Sequence, residues 1–204
     1  MTAILRPAIA VVLLFTLTLG LAVPLAFTGV AGVIFPGQAD GSLIERDGRV
    51  IGSALLGQNF TSARYFQPRP SATTEADPEK EGSTRAAPYN AAASAASQLG
   101  PTSAALLDAV KERVAAYGGG RVPADAATAS GSGLDPHISP ENAARQVARV
   151  ARERRLPEAR VAELVARHTE GRELGLLGEP RVNVLRLNLA LDALRSPPST
   201  TRTG

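Results

Sequence analysis

Residues 7–39 read PAIAVVLLFTLTLGLAVPLAFTGVAGVIFPGQA and contain no Asp, Glu, Lys or Arg. About 20 apolar residues in a helix span the ~30 Å hydrocarbon core of a bilayer, so this stretch is long enough to cross once with some tilt. We expect Pro24 and Gly29 to bend or end the helix and Pro36-Gly37 to close the segment. The sequence therefore predicts one amino-terminal transmembrane helix within residues 1–37.

A cleaved secretory signal is the alternative interpretation of this stretch. Such signals have an apolar region of about 7–15 residues behind a basic amino-terminal region. Here the basic region is the single Arg6, and the apolar stretch is about twice as long as a signal requires. The small residues at Gly29-Val30-Ala31 still offer a cleavage site, so both interpretations stay open, and the length favours the membrane helix.

The charges on either side of the span predict its orientation. Arg6 precedes the span, whereas Asp40 and Glu45 follow it. Positive charge beside a span is retained in the cytoplasm. The amino terminus is therefore predicted to be cytoplasmic and residues 38–204 to form a periplasmic domain on a single-pass protein of the cell inner membrane.

Composition excludes several classes of function. The chain has 204 residues, a net charge of +3, no Cys and two His. Disulfide frameworks, Cys-containing zinc sites and thiol catalysis are excluded, and a metal cage built from His has little room. The small positive excess without basic runs argues against nucleic-acid binding. Neither Lys80 nor Lys111 follows a glycine-rich phosphate loop, and no G-x-S-x-G motif occurs. We therefore predict no catalytic residue, no metal site and no cofactor bound by this chain alone, and assign no cofactor-binding residues.

The segment after the span begins with a hairpin signal. Asp47-Gly48 lies between two short apolar runs, a pattern typical of a two-residue β-hairpin turn. Residues 67–88 carry several prolines among Ser, Thr, Glu and Lys, which predicts an exposed loop. Residues 195–204 are polar and are predicted to be a disordered tail.

Four later segments have apolar residues at helical spacing. Thr102 or Ser103 caps the first, and Ser139 caps the second ahead of a proline at its first position. In the last segment alternate leucines also fit a strand, and the length favours a helix. Short strands and helices without regular alternation predict the α+β class: one transmembrane helix followed by a single small extracytoplasmic α+β domain. The four segments are 104–117, 140 onward, 157 onward and 182–194.

Two stretches carry polar and aromatic groups that suit a binding surface. In Tyr65-Phe66-Gln67-Pro68-Arg69-Pro70 the aromatic rings and Arg69 either form such a surface or pin the proline-rich loop to the domain. In residues 128–140, TASGSGLDPHISP, the Ser hydroxyls, Asp135 and His137 either line a polar or ion site or form a tight loop that caps the next helix.

A series of motifs resembles the C subunit of Kdp-type potassium-transporting ATPases. The motifs occur in the family's order over most of residues 1–194, including the amino-terminal membrane helix. Residues 73–87 look like an insertion into the pattern, and Gln98 and Ser103 stand where such subunits often have Asn. The motifs are GSLI (41–44), GSALLGQNF (52–60), YF with RPSA (65–72), PYN (88–90), LGPT (99–102), TASGSGLD (128–135), GEPRVNV (178–184) and LNLALD (187–192).

The resemblance implies a non-catalytic accessory subunit of a high-affinity potassium uptake complex. A channel-like subunit would carry potassium, and a P-type subunit would bind and hydrolyse ATP, so ATP and potassium belong to the complex. This chain would contact both subunits and membrane lipid, support assembly and act as a catalytic chaperone that raises ATP affinity. A membrane-anchored periplasmic hydrolase using His137, or a binding protein, is the alternative. The candidate partner-contact residues are Tyr65, Phe66, Arg69, Tyr89, Asn90, Ser130, Ser132, Asp135 and Asn183.

Overall fold

A computed structural model describes residues 2–194, which divide into two compact units between Ser53 and Ala54. The predicted tail, 195–204, lies outside the described residues. The helical elements are α1 (Thr2–Leu17), a π-helical turn (Thr18–Ala22), α2 (Val23–Ile34), α3 (Pro36–Ala39), α4 (Ala104–Ala116), α5 (Ala124–Ala127), α6 (Pro140–Arg154), α7 (Glu158–Arg167) and α8 (Val184–Ala193). The strands are β1 (Leu43–Arg46), β2 (Arg49–Ser53), β3 (Thr74–Ala76), β4 (Thr84–Ala86), β5 (His137–Ile138), β6 (Thr169–Glu170) and β7 (Arg181–Asn183).

The first unit begins with one continuous apolar helix. Ala3–Ile34, 32 residues, is long enough and apolar enough to cross a membrane. Neither Pro24 nor Gly29 ends the helix, contrary to one of the outcomes expected from the sequence. The Val23 N–H donates to the Thr18 carbonyl five residues earlier. Pro24 has no N–H and therefore interrupts the helical ladder of backbone hydrogen bonds. The π-helical turn just before it accommodates this interruption without ending the helix.

The β1–β2 hairpin completes the first unit and confirms the predicted turn. Asp47 and Gly48 have φ of 53° and 73°. Two central residues with positive φ are the mark of a type I′ turn, whose twist matches that of the flanking strands. The domain boundary predicted at residue 38 falls inside this unit, ahead of the hairpin.

The segment 67–88 is only partly the exposed loop that we predicted. Its second half forms the antiparallel hairpin β3–β4, with Glu75 paired to Arg85. At the base of this hairpin Thr73 is 1% exposed, and its hydroxyl donates to the Ala87 carbonyl at 2.6 Å. The proline-rich composition cannot build an apolar face, but polar side chains satisfy the backbone and allow the base of the segment to be buried.

The core of the second unit lies between a three-stranded antiparallel sheet and three helices. The strand order is β5–β7–β6, so β7 is central. Helices α6, α7 and α8 contribute apolar residues at the spacing predicted from the sequence. The fully enclosed part of this core includes Phe66, Val150, Val161, Val182, Leu187 and Leu191.

Side-chain caps fix where the longer helices of this unit begin. Ser103 accepts from the Leu106 N–H and Ser139 from the Asn142 N–H, as predicted. Asn183 accepts from the Arg186 N–H and thereby starts α8. The last segment is therefore a short strand followed by a helix, and the predicted α+β class is confirmed.

Candidate functional site

The structure brings together most of the predicted contact residues from two distant parts of the chain. Arg69 comes from the segment after the buried Phe66, and Asp135 lies in the loop before β5. The Arg69 Nη1 donates to Asp135 Oδ2 at 2.9 Å, across 66 residues of sequence. Both side chains are about a quarter exposed, at 22% and 27%. This half-buried ion pair is the centre of the candidate site.

Asp135 is held as an ionised acceptor. Its Oδ1 accepts from the backbone N–H of His137 at 2.9 Å, and the His137 Nδ1 lies 3.4 Å from the same oxygen. Burial raises the pKa of Asp135, but the hydrogen bonds from His137 and Arg69 outweigh it, so the net pKa lies below its ordinary value. A carboxylate that is ionised at neutral pH and already hydrogen-bonded is a structural anchor and a poor general base.

Tyr89 packs against this pair and fixes the backbone of Arg69. Its hydroxyl donates to the Arg69 carbonyl at 2.8 Å, and burial, followed by the charge of Asp135, raises its pKa. The phenol therefore stays protonated and remains a donor. A Cβ on Gly57 would lie 2.3 Å from the Tyr89 ring and 2.8 Å from the Asp135 carbonyl, so only glycine fits there.

Hydroxyl side chains join the loops around the ion pair. Ser71 donates to the Gly133 carbonyl at 2.7 Å and accepts from the Tyr89 N–H. Asn90 donates from its amide to the Thr74 carbonyl at 2.8 Å. These bonds anchor the Pro-Tyr-Asn motif to the glycine-rich loop and hold the loops of the candidate site in one arrangement.

Arg69 lines two clefts. The Nε of Arg69 is buried and makes no hydrogen bond within the part of the chain that the structure describes. The first cleft, of about 440 Å³, is lined by Phe60, Gln67, Pro68, Arg69, Tyr89, Arg113 and Tyr117 among others. The second, of about 380 Å³, is lined by Leu55, Leu56, Arg69, Ser130, Gly131, Ser132, Leu134, Asp135 and Pro136.

The serines of this loop do not form a nucleophile–base pair with His137. The Ser132 hydroxyl accepts from the Leu134 N–H at 3.1 Å. Among residues 2–194, no hydrogen bond joins His137 to Ser130 or Ser132, and no group of three or more His, Asp or Glu side chains is placed to hold a metal ion. Activated serine nucleophiles lie within hydrogen-bond reach of their base, so this geometry does not favour the hydrolase alternative.

Tyr65 lies at a separate surface cluster. Its hydroxyl donates to Asp192 Oδ2 at 3.1 Å, and the Arg154 guanidinium lies 4.7 Å from its ring centroid. Arg154 also pairs with Asp192 at 2.7 Å. The arginine that lies over the Tyr65 ring is therefore Arg154, whereas Arg69, the arginine considered from the sequence, pairs with Asp135.

Two of the predicted contact residues are buried inside the fold, so neither presents an exposed side chain. Phe66 is 0% exposed and fills the core between the sheet and helices. Asn183 is 4% exposed, caps α8 and donates to the Ala54 carbonyl at 2.9 Å. Apolar and amide side chains with all partners inside the fold have no surface to offer. Ser130 is also buried, at 5%, but it lines the second cleft.

Sequence reasoning missed the two amides that hold the segment leading to Arg69. Asn188 of α8 accepts from the Phe66 N–H and donates to the Phe66 carbonyl, both at 2.9 Å. Gln146 of α6 does the same for Gln67, at 2.7 and 3.1 Å. These side chains replace the ladder that a neighbouring strand would provide. One feature of the sequence could have indicated this role: Asn188 and Gln146 are amides on helix faces that are otherwise apolar.

The hydrogen-bond network around Gln146 extends to the start of α6. Gln146 donates to Asn142 at 3.0 Å, and Asn142 donates to Asp125 at 2.9 Å. Arg149 donates to Gln146 Oε1 at 2.6 Å and to the Tyr65 carbonyl at 3.1 Å. A satisfied buried network of this kind makes the position of the segment before Arg69 unique.

Comparison with known proteins places the whole of this arrangement in one family. The family model described as "KdpC: K+-transporting ATPase, c chain" matches residues 5–193. The potassium-transporting ATPase KdpC subunit of Methylorubrum extorquens is 61% identical over 191 residues, which cover 92% of this chain and 95% of the relative. That of Methylobacterium nodulans is 59% identical and that of Rhodopseudomonas palustris (strain BisB18) 60% identical, each over 194 residues, or 93% of this chain and 96% and 98% of the relatives. The chain belongs to the KdpC family, the c chains of potassium-transporting ATPases.

Proposed function

We propose that this chain is a non-catalytic accessory subunit of a high-affinity, ATP-driven potassium uptake complex. The family match over residues 5–193 carries the proposal. The subunit joins a channel-like potassium-binding subunit and an ATP-hydrolysing P-type subunit in the inner membrane, is needed for their assembly and raises the ATP affinity of the complex as a catalytic chaperone.

The chemistry of the candidate site supports a binding role. Each carboxylate oxygen of Asp135 already accepts a hydrogen bond, from Arg69 or from the His137 N–H, and the Ser132 hydroxyl accepts one from the Leu134 N–H. A preorganised Arg69 between two clefts suits recognition of a carbonyl or carboxylate on a protein surface. The exposed parts of Arg69, Tyr89, Asn90, Ser132 and Asp135 are the contact residues that we propose.

The first prediction is the orientation of the chain. An alkaline phosphatase reporter, which folds only outside the cytoplasm, should be active when fused after Gly48. The reason is that Arg6 precedes the span and Asp40 and Glu45 follow it. A cytoplasmic reporter at the same point is the control and should be inactive; the reverse pattern would place the domain inside the cell and contradict the proposal.

The chaperone role raises a problem of distance. In the proposed orientation only about residues 1–6 are cytoplasmic, whereas the P-type subunit binds ATP inside the cell. No phosphate-binding lysine loop occurs in the sequence. We therefore propose that this subunit acts indirectly: it binds one conformation of the assembled pump better than another and shifts its population.

The second prediction tests this coupling. Couplings of about 1–3 kcal/mol change an apparent affinity roughly 5–150-fold without a shared site. The complex is assembled and purified first, and its ATP affinity should fall by a factor in this range when this subunit is then stripped from it. The control is calorimetric titration of the purified full-length chain with ATP, which should give no specific submillimolar binding. An unchanged affinity would refute the chaperone role, and tight binding by the chain alone would refute the indirect mechanism.

A further inference from the structure

The loop between β6 and β7 exposes an unusual amount of apolar side chain. Leu174 is 91% exposed, Leu176 80% and Leu177 63%. We call residues 172–179 the leucine loop. Adjacent exposed leucines on a soluble domain mark an interaction surface, whereas single exposed leucines need no explanation.

The backbone of the leucine loop is closed on itself. Glu173 and Leu177 exchange two hydrogen bonds, each of 2.9 Å. Leu174 and Gly175 have φ of 53° and 74°. Positive φ is uncommon for a large side chain such as leucine, and here the paired Glu173 and Leu177 hold it in place. The leucines are therefore presented in a fixed arrangement and are not free to fold back onto the domain.

Ion pairs lie within and beside the leucine loop, and their opposite charges cancel. Arg172 pairs with Glu179 at 2.7 Å, and Arg181 pairs with Glu173 at 2.9 Å and with Glu170 at 3.1 Å. Arg186 lies 3.7 Å from Glu170. Three arginines and three glutamates thus leave this surface without net charge. An apolar centre with a polar, charge-paired rim is the anatomy of a protein–protein interface.

We propose that the leucine loop is a docking surface that inserts Leu174, Leu176 and Leu177 into an apolar pocket on the external surface of another subunit of the complex. The proposal rests on the proposed function, which supplies a permanent protein neighbour. A bilayer is the less suitable occupant, because binding to anionic lipid relies on unpaired Lys or Arg beside the apolar residues. A rigid loop also loses little conformational freedom on docking.

The test is whether the complex still assembles when the three leucines of the loop are replaced by polar residues. The full chain carrying Leu174→Asn, Leu176→Ser and Leu177→Ser is co-expressed with the other subunits and purified in mild detergent. Asn tolerates positive φ, so the turn is retained. Leu107→Ser, at a leucine of α4 that is 55% exposed, is the control. We expect at least a tenfold loss of co-purified subunits for the triple variant, none for the control, and unchanged melting temperatures for both purified chains.

A second measurement separates a protein occupant from a lipid one. The chain has no Trp, so Leu176→Trp introduces a single indole. In vesicles of brominated phospholipid that contain only this chain, the indole should be unquenched. Quenching there would assign the loop to the bilayer and overturn the inference. Co-purification retained by the triple variant would overturn it while leaving the proposed function standing, whereas a wild-type chain that brings down no other subunit would refute both.

Discussion

Replacement of Phe66 by alanine is expected to lower the free energy of unfolding of the full chain by about 3–5 kcal/mol, the range for a fully enclosed phenylalanine. Phe66 is 0% exposed and packs among residues of α6, α7 and α8. The smaller side chain leaves a cavity that the surrounding core closes only partly. Urea unfolding of the detergent-solubilised chain, followed by circular dichroism, measures the change.

Phe66→Leu is the matched variant, because it keeps most of the apolar volume. Its loss should be roughly 1–2 kcal/mol, between that of a volume-conserving exchange and that of the alanine variant. The same variants also decide whether Phe66 contacts another subunit. Normal stability combined with poor assembly would instead identify Phe66 as a contact with another subunit and contradict its role in the core.

Gly133→Ala is expected to destabilise the chain by about 2–4 kcal/mol, through both backbone strain and overpacking. Gly133 has φ of 69°, which costs a residue with a Cβ roughly 1–2 kcal/mol. The added Cβ would also lie 2.6 Å from Thr73 Cγ2 and 2.7 Å from the Ala95 carbonyl. Because Ser71 binds the Gly133 carbonyl, the displacement would reach the Arg69–Asp135 pair.

The same loop supplies the control. Gly131 has no atom within 4 Å of a Cβ and no positive φ, so Gly131→Ala should change stability by less than about 0.5 kcal/mol. Thermal unfolding of both variants beside the wild type makes the comparison. Equal melting temperatures for the two variants would contradict the close packing of this loop against Thr73.

Local patterns predicted the parts of the fold that depend on neighbours in sequence. The apolar length of residues 7–39 predicted one long apolar helix, and Asp47-Gly48 predicted the β1–β2 hairpin. Ser139, and one of the two alternatives Thr102 and Ser103, predicted where two later helices start. Each of these is a property of a few consecutive residues, because hydrogen bonds in turns and caps reach only two to four positions along the chain. The last segment, 182–194, was ambiguous because its leucines fit the spacing of a strand as well as that of a helix. The cap at Asn183 starts the helix α8 and resolves the ambiguity.

The candidate site was predicted in its composition but not in its contacts. Arg69, Tyr89 and Asp135 were identified from motifs, yet no pattern indicated that Arg69 and Asp135 form a pair. The leucines of the leucine loop lie outside every motif identified in the sequence, because exposure is not encoded in the identity of a leucine. Leucines are usually buried, and only the fold shows that three of them are not.

The sequence by itself determined the long apolar helix at the amino-terminal end, the order of the helices, the α+β class and the family, because all of these follow from local periodicity or from motif order. The tertiary structure decided which side chains face outward and which segments hold one another. From the sequence, Phe66 could either contribute to a binding surface or pin the proline-rich loop to the domain. The fold decides for the second, because Asn188, 122 residues further on, binds the Phe66 backbone and the ring lies in the core. Contacts across such separations leave no periodic trace in the sequence, because they depend on where α8 packs in the core, and that position is set only when the chain folds.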